Sequence, residues 1–341
     1  MAASLRRAQP YGALVLALSV LAGGCDTGSR WALEAETAYP AALDFWPEER
    51  VFLAGSYHEG TIYRLPSDAK SVPAVVMGNS THGHGRALRL KVDSTGQRLW
   101  VLDTDAVYAY ALPDGRLLHR IPLAVGTRSR KHCLPDMALD GATGDVYVSD
   151  AGAPVIHRIA AGPGGGMPQA TAIPVSFGAD GSSAGGFSAL TVQGSPPFLI
   201  AGEASSGKLW RVDPASGAAT VLPVPPIVGV CGMGAVVPEQ RPYLYRPPRT
   251  LLLYVTTGFT HRVLRVTLAH DFRSGEIARI APAMTVDTPI SVVAFSRFVA
   301  VTGSRLGRHG DFNGGRNEAL PPFRLVLMPS GLEALHISTR R

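Results

Sequence analysis

Three cysteines in 341 residues are too few to build a disulfide scaffold. Charged residues make up only 17% and aromatic residues 7%, against 46% hydrophobic, so the chain is not a disordered polyelectrolyte. No apolar run reaches the roughly 18 residues a membrane-spanning helix needs. Strong catalytic signatures are missing too. There is no G-x-S-x-G elbow, H-E-x-x-H helix, Walker A loop or dinucleotide fingerprint in a strand–helix context. The basic surplus is small, 32 Lys and Arg against 26 Asp and Glu, and it is spread along the chain. With no basic helix, zinc-finger spacing or RNA-binding signature beside it, no nucleic-acid partner is expected. Glycine (38) and proline (27) are plentiful. They lack collagen's three-residue period and instead punctuate short apolar runs, which argues against a helical bundle and for an all-β chain.

The N-terminus reads as an export signal over residues 1–24. Arg6 and Arg7 precede the apolar stretch from Tyr11 to Leu21, and Ala22-Gly23-Gly24-Cys25 follows. This segment resembles a bacterial lipobox, with lipid carried by Cys25, although Ala22 stands where leucine is usual. The resemblance implies a periplasmic or cell-surface lipoprotein, tethered to a membrane through residues 25–36, and Asp26 resembles the residue that marks inner-membrane retention. A soluble secreted form and an uncleaved anchor remain open. An oxidising compartment would permit a bridge between Cys133 and Cys231, but two buried free thiols are the expectation.

The informative pattern is a repeat. Arg86 to Leu123 holds ALRLKV, a DSTGQ turn, RLWVLD, then VYAYAL, a PDG turn and RLLHRIPL. Alternating or apolar runs of about six residues between Asp/Gly/Pro turns predict a four-stranded antiparallel meander. Comparable units begin near Tyr39, Gly85, Cys133, Phe187, Cys231 and Thr288, the last ending in a strand near Leu335 to Ser338. The spacing averages about 50 residues, as in propeller blades. Six such sheets around an axis bury faces that none could bury alone. Residues 37–341 are therefore expected to form a six-bladed β-propeller of four-stranded antiparallel blades, a β-sandwich being the alternative. The two termini leave open how the ring closes.

The stretches YPAALDFWPEERVFLAGSYHEGTIYRL and LPDMALDGATGDVYVSDAGAPVIHRI resemble repeats of the SMP-30/gluconolactonase and strictosidine-synthase-like propellers, and of NHL-repeat proteins. The resemblance spans about residues 37–341. It implies a divalent cation in the central channel and hydrolysis of lactones or organophosphates, though relatives include a lyase and a condensing enzyme. The metal pattern is incomplete. Ala38 stands where the group has a glutamate, Gly185-Gly186-Phe187-Ser188 where it has an asparagine, and Cys231-Gly232-Met233-Gly234 where it has an aspartate. Asp136 alone matches a polar channel position, as the candidate ligand for calcium, magnesium or zinc; one carboxylate is too few for the oxygen-rich shell calcium needs.

In a propeller, loops joining strands two and three and loops joining successive blades open on one face. That places His58, Glu59, Asp103, Asp105, Asp150, Glu203 and His261 on the same rim as His82, His84 and His132, with His309 and Asp311 on the insert from Arg305 to Leu320. If they converge, this rim is the default pocket. Asp103, Asp150 and Glu203 follow second strands directly, where a carboxylate also caps a turn. His82 and His84 point the same way if extended, an arrangement a transition metal could use with His58 or His132. His132 with Asp136 is the candidate acid–base pair. The two functional readings are a lipid-tethered propeller binding a small molecule, glycan or protein on its His/Asp-rich face, and an SMP-30-like hydrolase acting on a lactone or related ester.

Overall fold

The computed structural model describes residues 30–68, 73–77, 83–123, 134–161, 168–178, 185–236, 250–280, 286–295, 298–319 and 321–330. Its first strand, β1, is Arg30–Leu33. Blade 1 follows as β2 (Pro40–Trp46), β3 (Val51–Ser56), β4 (Ile62–Pro66) and β5 (Ala74–Met77), and blade 2 as β6 (Arg89–Asp93), β7 (Arg98–Leu102), β8 (Ala106–Ala111) and β9 (Leu117–Pro122). Blade 3 comprises β10 (Met137–Leu139), β11 (Val146–Ser149), β12 (Val155–Ile159) and β13 (Ala170–Pro174). Blade 4 comprises β14 (Ala189–Gln193), β15 (Phe198–Gly202), β16 (Leu209–Val212) and β17 (Ala219–Val221). Blade 5 runs β18 (Val230–Val236), β19 (Leu251–Thr257), β20 (Arg262–Leu268) and β21 (Gly275–Arg279); blade 6 adds β22 (Pro289–Ala294), β23 (Phe298–Gly303) and β24 (Phe323–Pro329). All strand pairs are antiparallel, and the six sheets of four strands form the expected propeller.

The ring closes through the N-terminus. β1 pairs with β24, Trp31 opposite Leu325, and completes blade 6 from the far end of the chain. This corrects the sequence expectation, which left residues 30–33 in a tether. The strand expected near Leu335 to Ser338 lies outside the described residues, as do the signal segment and Cys25. The Trp31 indole donates to the Pro66 carbonyl at 2.8 Å and packs edge-on against Phe52, so the closing strand also ties blade 6 to blade 1.

The strand pattern follows from where each strand sits. Second strands are covered on both faces, and β3 (VFLAGS) and β19 (LLLYVTT) are buried throughout. Outer strands such as β13 (ATAIP) are largely exposed or half-buried. The cores lie between blades: Leu53, Leu90, Val101 and Tyr110 between blades 1 and 2, and Ile200, Leu209, Leu253 and Val266 between blades 4 and 5. The first strands β2, β6, β10, β14, β18 and β22 each contact the next around the axis.

One position recurs in all six blades. At the end of each second strand, or just after it, stands a buried polar residue: Ser56, Asp103, Asp150, Glu203, Thr257 and Ser304. Ser56 Oγ accepts the His58 and Glu59 amides, Asp103 those of Thr104 and Gly85, and Asp150 those of Gly152 and Ala153. Glu203 receives the hydroxyls of Ser205 and Ser206, Thr257 the Arg262 amide, and Ser304 the Leu306 amide. These side chains accept N–H or O–H donors from the loops beside them.

Candidate functional site: a rim cleft above a closed axis

Asp136 heads the first strand of blade 3, and its carboxylate is fully engaged. Oδ1 accepts Arg89 Nε at 2.7 Å and the Met137 amide at 2.9 Å; Oδ2 accepts the Leu190 amide at 2.9 Å. Arg89 also donates from Nη1 to the Leu88 carbonyl at 2.7 Å and from Nη2 to the Cys231 carbonyl at 2.6 Å. A single side chain therefore links blades 2, 3 and 5 across the axis. The side chains of Arg89 and Asp136 are only 3% and 6% exposed.

These residues do not fit a resident divalent cation. The carboxylate carries a guanidinium ion, and the carbonyl of Cys231 is already an acceptor. Two glycines in the stretches that lack the expected asparagine and aspartate are sterically fixed. A Cβ on Gly232 would collide with the Ile290 carbonyl of blade 6, and one on Gly186 with the Asp150 carbonyl. Asp136 as metal ligand is thus corrected: Arg89 supplies the balancing positive charge. As an acid–base group it is equally committed to that ion pair. Among the described residues no three His, Cys, Asp or Glu side chains come together as a metal site.

The polar residues that do converge lie on the rim, where loops of blades 1, 2 and 6 meet. The insert after β23 forms a 3₁₀ turn, Leu306–Arg308, and a one-turn helix, Gly310–Asn313. It brings the buried His309 against His58, with His58 Nδ1 and His309 Nε2 2.9 Å apart. The Asp311 amide donates to His309 Nδ1 at 3.2 Å, so neutral His309 carries its proton on Nε2 and donates to His58. Burial pushes the His309 imidazole down to about 4; Asp311 opposes this, while His58 and Arg86 add to it. Edge-on contacts from Tyr39 and Tyr57, at ring-centroid distances of 4.9 and 5.0 Å, hold the ring.

Asp311 Oδ2 accepts Arg86 Nη1 at 2.6 Å and the Tyr57 hydroxyl at 3.0 Å. Partial burial works against its ionisation, yet these two hydrogen bonds and the Arg86 charge hold its carboxyl below the ordinary range. Burial raises the Tyr57 hydroxyl, and the Arg86 guanidinium stacks over its ring at 4.5 Å. The result is an open cleft of about 660 Å³ lined by His58, Arg86, His309, Asp311, Arg316 and Asn317 and by the glycines between them.

The other sequence candidates have different positions. His84 is buried, with Nδ1 at 2.7 Å from the Tyr110 hydroxyl and Nε2 at 2.7 Å from the Gly60 carbonyl, so it is corrected from metal or ligand contact to a structural hydrogen-bonding group. Asp103, Asp150 and Glu203 close turns, as above, and line neither cavity. Asp105 pairs with Arg120 at 2.8 Å. Glu59 accepts the Tyr63 hydroxyl at 3.4 Å. His261 accepts the Thr288 amide at 2.9 Å, beside Asp287. His82 and His132 lie outside the described residues, and with them the His82–His84 and His132–Asp136 pairings. Cys231 is disulfide-bonded, which corrects the expectation of a free thiol there.

Sequence reasoning missed Arg86, Arg89, Arg316 and Asn317, which carry no motif. It also missed the axial cavity of about 200 Å³ opening on the opposite face, where all six first strands contribute and Lys91 Nζ lies 3.9 Å from Asp44. Burial raises the Asp44 carboxyl, opposed by Lys91 and by the Val92 amide.

No known protein family matches the chain, and no curated protein resembles it in sequence. Solved structures do resemble it. The major Malassezia sympodialis allergen Mala s 1 superposes with a TM-score of 0.59 at 15% identity, covering 87% of this chain and 96% of that one. Regucalcin, a calcium-binding protein from Agrobacterium tumefaciens, gives 0.57 at 14% identity, covering 89% and 95%. A Bacteroides thetaiotaomicron protein of unknown function gives 0.57 at 12%, covering 89% and 72%. At such identities the likeness is one of fold.

Proposed function

We propose that this chain is an exported, lipid-anchored propeller that binds a small ligand on its rim and holds no divalent cation at its axis. The observation that carries the reading is the contrast between the two places. At the axis the polar groups satisfy one another through Arg89, Asp136 and the Cys231 carbonyl. On the rim, residues from blades 1, 2 and 6 surround an open cleft. Concave sites with a few convergent polar groups are the usual ligand sites of a rigid scaffold. The tether is argued from Cys25 and its preceding small residues.

A thermal-shift screen of the full chain tests the binding. Compounds that raise the melting temperature of the wild type are expected to lose that effect in His58→Ala. Stoichiometric calcium, magnesium or zinc in the purified protein, with metal-dependent turnover of lactones or aryl esters, would replace this reading with the SMP-30-like hydrolase. That second reading draws on the fold likeness to calcium-binding regucalcin, and Arg89 stands against it. Labelling cells with an alkyne fatty acid tests the anchor, since Cys25→Ser is expected to abolish incorporation.

A further inference from the structure

We propose that the rim cleft takes a small monocarboxylate, its oxygens received by His58 Nε2–H and the Arg316 guanidinium. This deepens the rim-binding reading and rests on it. The Asp311 amide fills His309 Nδ1, and burial keeps that imidazole neutral, so its one proton sits on Nε2 and points at His58 Nδ1. His58 then has only Nε2 on which to carry its own proton. The relay ends in a donor at the exposed edge of the cleft. Among the described residues His58 Nε2 has no hydrogen-bond partner.

The remaining polar groups point to the same ligand chemistry. Asn317 spends its carbonyl oxygen on the Gly310 amide at 2.9 Å. Arg86 is paired with Asp311. Arg316 is exposed, lines the same cleft, and has no ion pair among the described residues. Asp311, the carboxylate of the lining, already accepts Arg86 and the Tyr57 hydroxyl, while His58 Nε2–H and Arg316 are donors, so the ligand that these two receive must present acceptors. Charge then sets the valence. Two guanidinium groups face one carboxylate, a surplus of one positive charge, and the Asp311 oxygens oppose a second negative charge on the ligand. A carboxylate, planar and singly charged, matches a guanidinium fork plus one N–H donor better than a phosphate dianion does. Gly314, at φ +72° and with no atom within 4 Å of its would-be Cβ, leaves open space beside it for the rest of the ligand.

Saturation-transfer NMR and calorimetry on the full chain would compare lactate and benzoate with lactamide, benzamide and inorganic phosphate. At least one acid is expected to bind, with its amide about tenfold weaker or worse, an effect of the size of one charge-assisted contact. Arg316→Ala should weaken the acid by a similar factor at unchanged melting temperature, and Arg316→Lys by less. His58→Ala should weaken it as well. Amides binding as tightly as acids, phosphate preferred over both acids, or indifference to Arg316→Ala would overturn the assignment. Neutral probes that bind and are lost in His58→Ala would overturn the carboxylate while leaving rim binding in place. Absence of binding by every probe, acids included, would overturn both.

Discussion

Replacing Arg89 by methionine leaves the Asp136 carboxylate buried without its cation. Breaking a buried ion pair from one side costs about 3–5 kcal/mol, because the remaining charge is desolvated and unpaired. The Cys231 and Leu88 carbonyls also lose donors, at about 1 kcal/mol each. Two terms work the other way. Methionine fills part of the vacated space, and Asp136 keeps its amide donors from Met137 and Leu190. A net loss of about 4 kcal/mol is expected, within the roughly 5–15 kcal/mol that a domain has, so the variant should still fold.

Asp136→Asn strips the other partner and should cost about 3 kcal/mol for the same reason. The informative quantity is the double variant. Once the carboxylate is neutral, loss of the guanidinium no longer strands a charge, so the combined cost should fall short of the sum by about 2–3 kcal/mol. Equilibrium urea unfolding of the four proteins, followed by tryptophan fluorescence, measures the coupling directly. Salt should change it little, because a pair this deeply buried is poorly screened. Strict additivity, or an Arg89→Met variant as stable as the wild type, would refute the account of the axis as a closed electrostatic clamp.

Neither calcium nor a chelator should move the wild-type melting temperature, because Arg89 occupies the carboxylate that a cation would need. Trp31→Ala should cost about 3–5 kcal/mol, since the indole is buried at the ring's closing seam, and limited proteolysis should then cut first near blade 6. His309 has a folded-state pKa of about 4 against an ordinary 6.5, so the unfolded chain binds a proton that the folded chain excludes. Stability should therefore fall as pH drops from 6.5 towards 4, by at most about 3 kcal/mol, and level off below. The groups facing that ring are His58, Asp311, Arg86 and the tyrosine edges. His309→Gln should flatten the slope, and an unchanged pH profile would count against the buried neutral imidazole. Alkylation under denaturing, non-reducing conditions should leave Cys231 unlabelled until a reductant is added.

The blades were legible because their signal is local and repeated. Short apolar runs such as RLWVL and AVYAYA, buried almost throughout and set off by Asp/Gly turns, mark the inner strands within a few residues. Closure was not legible. RWAL is four residues long, and its partner strand lies at the other end of the chain, so nothing nearby in sequence distinguishes it from a tether. Arg89 was hidden for a related reason. In ALRLKV it reads as one more alternating polar residue, and only the ring brings its guanidinium to blades 3 and 5.

Scaffold and site also separate among the rim residues. Ser56, Asp103, Asp150, Glu203, Thr257 and Ser304 differ in chemistry but stand at one place in every blade and do one job, receiving N–H or O–H donors in the turn that follows. A role repeated six times around an axis cannot specify a single ligand, so their carboxylates, prominent in the sequence, carry little functional information. Specificity needs a departure from the repeat. The longest described departure on this face is the insert after β23, where His309, Asp311, Arg316 and Asn317 meet His58 and Arg86 from the neighbouring blades. Grafting a short turn in place of residues 305–319 should therefore leave the other five blades folded by circular dichroism while abolishing rim binding. Retention of ligand affinity after that exchange would mean that the ligand is held by the repeated turns, and the division drawn between them and the insert would fall.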